Sequence, residues 1–211
     1  MPWVDARFHK ESMTTSRPSV VILAGPNGAG ESTAAPALLQ GALAVSEFVN
    51  ADVIARGLSP RDPDLAAIAA GRVMLSRLRE LAAQRTNFAF ETTLASRSYA
   101  PWLRQLGAST YEIHLVFLWL SSAELAIERV ADRVRNGGHN IPEGVVRRRY
   151  AAGIRNLFDL YQPVATSWVL YNSSGPQPTL VAEGLESQPE QVYDTAVWAT
   201  VGHQATLGRP T

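Results

Sequence analysis

The chain alternates short apolar runs with longer stretches of helical periodicity. Residues 19–24 (SVVILA) are apolar at nearly every position, which predicts a short strand buried on both faces. A glycine-rich loop follows, and the spacing predicts a helix over 32–40. Residues 46–50 (SEFVN) predict a second strand, and the turn-rich LSPRDPD follows a little later. Leu65, Ile68, Leu75, Leu78 and Leu81 recur at helical spacing and predict a helix over 64–84. A third strand is predicted over 87–90 with Glu91 just past its end, then a short helix over 98–106. Residues 111–120 (YEIHLVFLWL) carry the strongest strand signal, as expected of the centre of a parallel sheet.

Helices are predicted over 122–135 and 142–160, separated by the breaker cluster Asn136-Gly137-Gly138-His139-Asn140. Strands over 167–172 and 179–183 and a closing helix over 189–199 complete the pattern. Strands alternating with helices imply right-handed βαβ units and a parallel sheet between helical layers. Residues 1–17 have no usable periodicity and are expected to be a flexible lead-in to a single domain over 18–200, with 201–211 as a tail.

Composition narrows the picture. The chain has 211 residues, 46% hydrophobic and 18% charged, which suits one globular core. Its formal net charge is zero, so no global field draws it to nucleic acid or an anionic membrane. The absence of cysteine excludes disulfides, thiolate metal sites and a cysteine nucleophile. No apolar run approaches the roughly 20 residues of a membrane span, and the first residues lack a signal-peptide core. These features point to the cytoplasm. Of the 19 basic residues, only Lys10 is not arginine.

The chemistry is concentrated in four stretches. The first is Gly25-Pro26-Asn27-Gly28-Ala29-Gly30-Glu31-Ser32-Thr33. The pattern G-x-x-x-x-G-K-[ST] wraps backbone N–H groups and a helix N-terminus around phosphates. Gly25 and Gly30 hold its outer positions, and Ser32 supplies the hydroxyl for Mg²⁺. Glu31 stands where the pattern has lysine. At about 4 Å and an effective dielectric of about 20, a unit charge pair is worth about 4 kcal/mol. An anionic Glu31 would turn that attraction into repulsion, and the expectation is weak nucleotide binding and poor catalysis.

The second stretch, Asn50-Ala51-Asp52, lies at the C-terminal end of the second predicted strand, where open parallel sheets bind ligands. Asp52 either accepts the proton of an attacking hydroxyl or caps the segment that follows. The third is FETTLASR, with Glu91 at a strand end, hydroxyls after it, and Arg97 as either a partner of a substrate phosphate or a solvated arginine. The fourth places Arg129, Arg133 and Arg135 before the glycine break and Arg147, Arg148 and Arg149 after it. Two basic helices around a flexible break suit a lid over about 129–150, although Glu124, Glu128 and Asp132 can neutralise part of it. His139 has no second histidine at ligand spacing. An ABC-type ATPase is disfavoured because no LSGGQ-like signature is present and the strand at 111–120 runs into Ser121-Ser122 rather than Asp-Glu.

GPNGAGEST, EFVNADVIARGLSP, FAFETTLASRSY, LVFLWL and RVADRVRNGGHNIPEGVVRRRY occur in an order that resembles the zeta-toxin family of P-loop kinases, especially the branch described as "predicted ABC-type ATPase". The resemblance implies a P-loop kinase-like three-layer αβα sandwich with a mainly parallel sheet and a helical, arginine-bearing lid. It also implies ATP and Mg²⁺ as cofactors, a small-molecule acceptor such as a UDP-linked amino sugar, and an antitoxin as a candidate partner. By position, Asp52 would be the catalytic base, Glu91 and Thr93 would hold substrate, and Arg133 and Arg148 would bind the transferring phosphate. The chain departs from the family at Glu31, and at Ala95, where the family has an arginine; Arg97 lies two positions later. An alternative reading is a catalytically dead phosphate-binding protein that keeps the fold.

Overall fold

A computed structural model of the chain describes residues 17–31, 35, 45, 47–59, 65–109, 111–138, 140–186 and 188–207. Seven strands form one sheet: β1 (Ser19–Ala24), β2 (Glu47–Val49), β3 (Phe88–Thr92), β4 (Glu112–Trp119), β5 (Ser167–Asn172), β6 (Thr179–Leu185) and β7 (Gln191–Val192). Their order is β2-β3-β1-β4-β5-β6-β7, and the first five are parallel. Every residue of β1 is buried, as its unbroken apolar run requires of a strand paired and covered on both sides. The labelled helices are α1 (Ala51–Leu58), α2 (Ala67–Ala83), α3 (Tyr99–Ala108), α4 (Ala123–Arg135), α5 (Glu143–Asn156) and α6 (Thr195–Thr206). The architecture is a three-layer α/β sandwich with a mostly parallel mixed sheet.

Three features differ from the sequence expectation, each for a physical reason. β6 and β7 are antiparallel to their neighbours. Only residues 173–178 join β5 to β6, and a parallel return needs a crossover of about a dozen residues or more. The helix expected over 142–160 stops at Asn156, continues as a π-helical turn (Leu157–Tyr161), and ends in a 3-10 turn (Gln162–Val164). Pro163 cannot donate to a helical ladder, so the run closes there. The closing helix runs over Thr195–Thr206 rather than 189–199, because Asp194 caps the Val197 N–H at 3.0 Å. Its Val201 and Ala205 are buried. Of the helix expected over 32–40, Ala35 is the described residue, and its backbone is helical.

β1, β2 and β3 run the same way, so their C-terminal ends meet at one edge. The glycine loop, the start of α1 and the segment after β3 all leave the sheet there.

Candidate functional site

The loop after β1 is shaped by close approaches that only glycine permits. A Cβ on Gly25 would sit 2.5 Å from the Leu118 carbonyl oxygen, and Gly28 has φ +85° with its Cα against α4. Gly30 has φ +98°, a left-handed backbone that favours glycine. The loop is also tied from outside. The Gly25 N–H donates to the Thr92 carbonyl at 3.3 Å, and the Ser173 hydroxyl donates to the Ala29 carbonyl at 2.7 Å. Arg129 donates to the carbonyls of Gly28 (3.4 Å) and Ser174 (2.9 Å), bracing the loop against the turn after β5. Arg129 therefore has a positioning contact that its place in an arginine cluster did not reveal.

Glu31 is 6% exposed, and its carboxyl folds back over the loop. Oε1 lies 3.0 Å from where a Gly25 Cβ would stand, and the backbone N–H groups of Gly30 and Glu31 bond to the carboxyl. Burial, reinforced by the negative charge of Glu91, pushes this carboxyl up to about 8; the two amides and Arg133 oppose the shift. At neutral pH Glu31 is therefore mostly protonated. The charge reversal read from sequence takes Glu31 as an anion, and burial in the loop removes that charge.

Asn50 joins the second and third stretches. Its Oδ1 accepts from the N–H groups of Asp52 (2.7 Å) and Val53 (3.2 Å), which caps α1, while its Nδ2 donates to Glu91 Oε2 at 2.8 Å. Asp52 is exposed in the first turn of α1, so the capping role weighed for it belongs to Asn50. Glu91 lies within β3 rather than past its end, paired in register with Leu23.

The segment after β3 is clamped from the far side. A Cβ on Gly153 of α5 would stand 2.3 Å from the Thr93 carbonyl oxygen. Asn156 donates to the Leu94 carbonyl at 2.8 Å and the Ala95 carbonyl at 3.2 Å, and the Tyr161 hydroxyl donates to the Ser96 carbonyl. The Thr93 hydroxyl accepts from the Ala95 N–H at 3.5 Å.

These elements enclose a cavity of about 720 Å³. Gly28, Gly30 and Glu31 form one wall; Asn50 and Asp52 with Glu91 and Thr93 form another. Arg129, Arg133 and Arg149 reach it from α4 and α5, and Arg72 from α2. Arg97 and Arg148 are exposed and do not line it. The phase of α5 explains the choice between adjacent arginines: Val146, Tyr150 and Gly153 are buried, and Arg149 falls on their side of the helix. That signal was present in the spacing V-x-x-R-Y-x-x-G.

Part of the arginine cluster is neutralised as the sequence suggested. Arg147 pairs with Glu124, and Arg135 with Asp132. α4 ends in a Schellman motif, with Gly137 (φ +82°) donating to the Val134 carbonyl and Gly138 to the Arg133 carbonyl, both at 2.9 Å. Lys10, Ser32, Thr33 and His139 lie outside the described residues. Among the described residues no cluster of three metal-ligating side chains occurs. The loop backbone keeps the glycine-dependent turns of the phosphate-binding pattern, and the Glu31 carboxyl lies folded on it beside Gly25.

The sheet order and the glycine loop at the end of β1 define a P-loop kinase-like protein. Residues 20–153 match the AAA domain family (AAA_33), and the chain belongs to that family. An uncharacterised protein of Haemophilus influenzae is 30% identical over 130 residues, covering 62% of this chain and 91% of that protein. Among solved structures, the AvrRxo1-ORF1:-ORF2 complex with ATP superposes with a TM-score of 0.72 at 15% identity, covering 95% of this chain and 68% of the other. The PezAT chromosomal toxin-antitoxin system of Streptococcus pneumoniae superposes with a TM-score of 0.61 at 15% identity, covering 98% and 84%. At these identities the two structures show the fold. No helix among the described residues is long and apolar enough to cross a membrane.

Proposed function

We propose that the chain is a zeta-toxin-type kinase scaffold that transfers a phosphoryl group from ATP to a hydroxyl of a small molecule, in a version impaired by Glu31. One observation carries the reading: the glycine loop shares a single cavity with Asp52, Glu91, Thr93 and Arg133. A phosphoryl donor on the loop and an acceptor beside Asp52 would then meet in one space. Asp52 would take the proton of the acceptor hydroxyl, Glu91 and Thr93 would hold the acceptor, and Arg133 would face the charge that develops in transfer. Arg149 replaces Arg148 as the second lid arginine in this reading, because it is the one that reaches the cavity. A nucleotide sugar is the proposed acceptor class, by the resemblance of the motifs. An antitoxin protein is the proposed partner, supported by resemblance and by the toxin-antitoxin system named for one structural neighbour.

The burial of Glu31 favours a second reading, a non-catalytic protein that keeps the fold and a phosphate-ligand site. Calorimetry and turnover assays with ATP, Mg²⁺ and UDP-sugars separate the two. The kinase reading expects Glu31→Lys to gain ATP binding and transfer, and expects Asp52→Asn in that background to lose about 10²-fold or more of the rate. Nucleotide binding without transfer in the lysine variant supports the second reading. Neither binding nor transfer removes the basis of both.

A further inference from the structure

The Glu31 side chain could have extended into the open cavity; instead it is 6% exposed and turned back toward the first glycine of its own loop. There it takes the N–H groups of Gly30 and Glu31, and Arg133 on α4 and Glu91 on β3 act on it electrostatically. A polyphosphate in such a loop depends on the same three resources: the loop amides, the space beside Gly25 where the chain comes closest, and a cation across from them. Carboxyl and phosphate therefore compete for one seat. Because the group is mostly protonated at neutral pH, repulsion between anions does not describe that competition.

Resting on the phosphate-loop reading proposed above, we infer that the Glu31 carboxyl is the loop's built-in occupant. It fills the seat of the β- or γ-phosphate, and a polyphosphate binds only by displacing it. Glu31 thereby sets which ligands the cavity accepts. A group that needs the loop amides must remove the carboxyl first, whereas a ligand that uses only Asn50, Asp52, Glu91 and Thr93 meets an open wall. Occupancy also makes side-chain length, rather than charge, the controlling variable. Glutamine has the size and hydrogen-bonding oxygen of a protonated glutamate, so it stays in the seat. Alanine cannot reach it.

Inorganic pyrophosphate, titrated calorimetrically at neutral pH, tests this on four full-length chains: the unaltered protein, Glu31→Gln, Glu31→Ala and Glu31→Lys. Occupancy expects Glu31→Ala to bind about tenfold tighter or more, the loop amides being released, while Glu31→Gln stays within a few-fold of the unaltered chain. Equal gains in the glutamine and alanine variants would mean that charge alone excludes phosphate, and would overturn the inference. A gain only with lysine would overturn it too, yet leave the phosphate-loop reading standing. No binding by any of the four chains, with each shown folded by its melting curve, removes the phosphate loop and the inference together. The unaltered protein supplies a second readout should a variant misfold. Saturating pyrophosphate is expected to shift the Glu31 carboxyl ¹³C resonance together with the amide signals of Gly30 and Glu31. Bound pyrophosphate with that carboxyl resonance unmoved would refute displacement.

Discussion

Asn50 donates to Glu91 at 2.8 Å while its side-chain carbonyl oxygen caps α1, so one amide fixes both the start of the helix bearing Asp52 and the Glu91 carboxylate beside it on the same wall of the cavity. The two roles can be separated. Asn50→Ala loses both and is expected to cost about 1–2 kcal/mol in urea unfolding. Asn50→Ser keeps a capping oxygen but is too short to reach Glu91. Its unfolding midpoint should stay near that of the unaltered protein, while acceptor affinity measured in the Glu31→Lys background falls. A serine variant as unstable as alanine would show that the bond to Glu91, rather than the cap, holds this corner together.

Glu31 gives stability a pH dependence whose sign is opposite to that of an ion-paired carboxylate. Its carboxyl sits at about 8 in the folded chain against an ordinary value of 4.5. Between those two pH values the unfolded chain has lost the proton that the folded chain keeps, so stability falls as pH rises. The loss is fully avoided below pH 4.5 and levels off above about 8. The slope approaches about 1.4 kcal/mol per pH unit in mid-window, so the whole effect is on the order of 5 kcal/mol. Glu31→Gln has no such proton, and urea unfolding of the two proteins between pH 5 and 9 should show the gap closing toward acid. Parallel curves would mean that Glu31 ionises normally in the fold.

Much of this arrangement is visible in the residues themselves. The unbroken apolar runs of β1 and β4 announce central strands, and the loop glycines at 25, 28 and 30 mark the site, because both depend on local sequence. β5 was also legible at its observed bounds, over 167–172. What stayed hidden depends on contacts distant in the chain. Glu31 reads in sequence as an ionised charge in the phosphate loop, and only the fold buries its carboxyl near Glu91, 60 positions later. Asn50 reads only as the end of the second predicted strand, and its bond to Glu91 exists only because β2 pairs with β3. The antiparallel direction of β6 was readable from the short link before it. The π turn at Leu157 was not, since its side chains pack on Trp198 of α6, as in the 5.4 Å ring contact of Phe158.

The clamp on the segment after β3 should be the point in α5 least tolerant of added bulk. A methyl on Gly153 would come within 2.3 Å of the Thr93 carbonyl oxygen, a backbone atom that cannot rotate away. Gly153→Ala would ordinarily strengthen a helix by about 1 kcal/mol. Here overpacking is expected to dominate, with a net loss of about 1–3 kcal/mol in urea unfolding. Gly144→Ala on the same helix meets nothing within 4 Å and serves as the matched control, expected to be neutral or stabilising. If both variants gain stability, α5 does not press on Thr93.

The two glycines that end α4 do different jobs, and a pair of variants should reveal it. Gly137 adopts φ +82° with open space around it, so alanine there meets only backbone strain. Gly137→Ala is expected to lower stability by roughly 1–2 kcal/mol while leaving the cavity unchanged. Gly138 presses on Arg133: a Cβ would lie 2.5 Å from Arg133 Cγ and 2.9 Å from its carbonyl oxygen. Gly138→Ala must therefore move the arginine that faces Glu31 and the cavity. In the Glu31→Lys background, ATP affinity should drop several-fold for Gly138→Ala and stay constant for Gly137→Ala, because only the former disturbs a charged side chain at the site. Equal losses in both would mean that the glycine break acts as a hinge for the whole lid. No loss in either would remove Arg133 from the phosphate-binding groups.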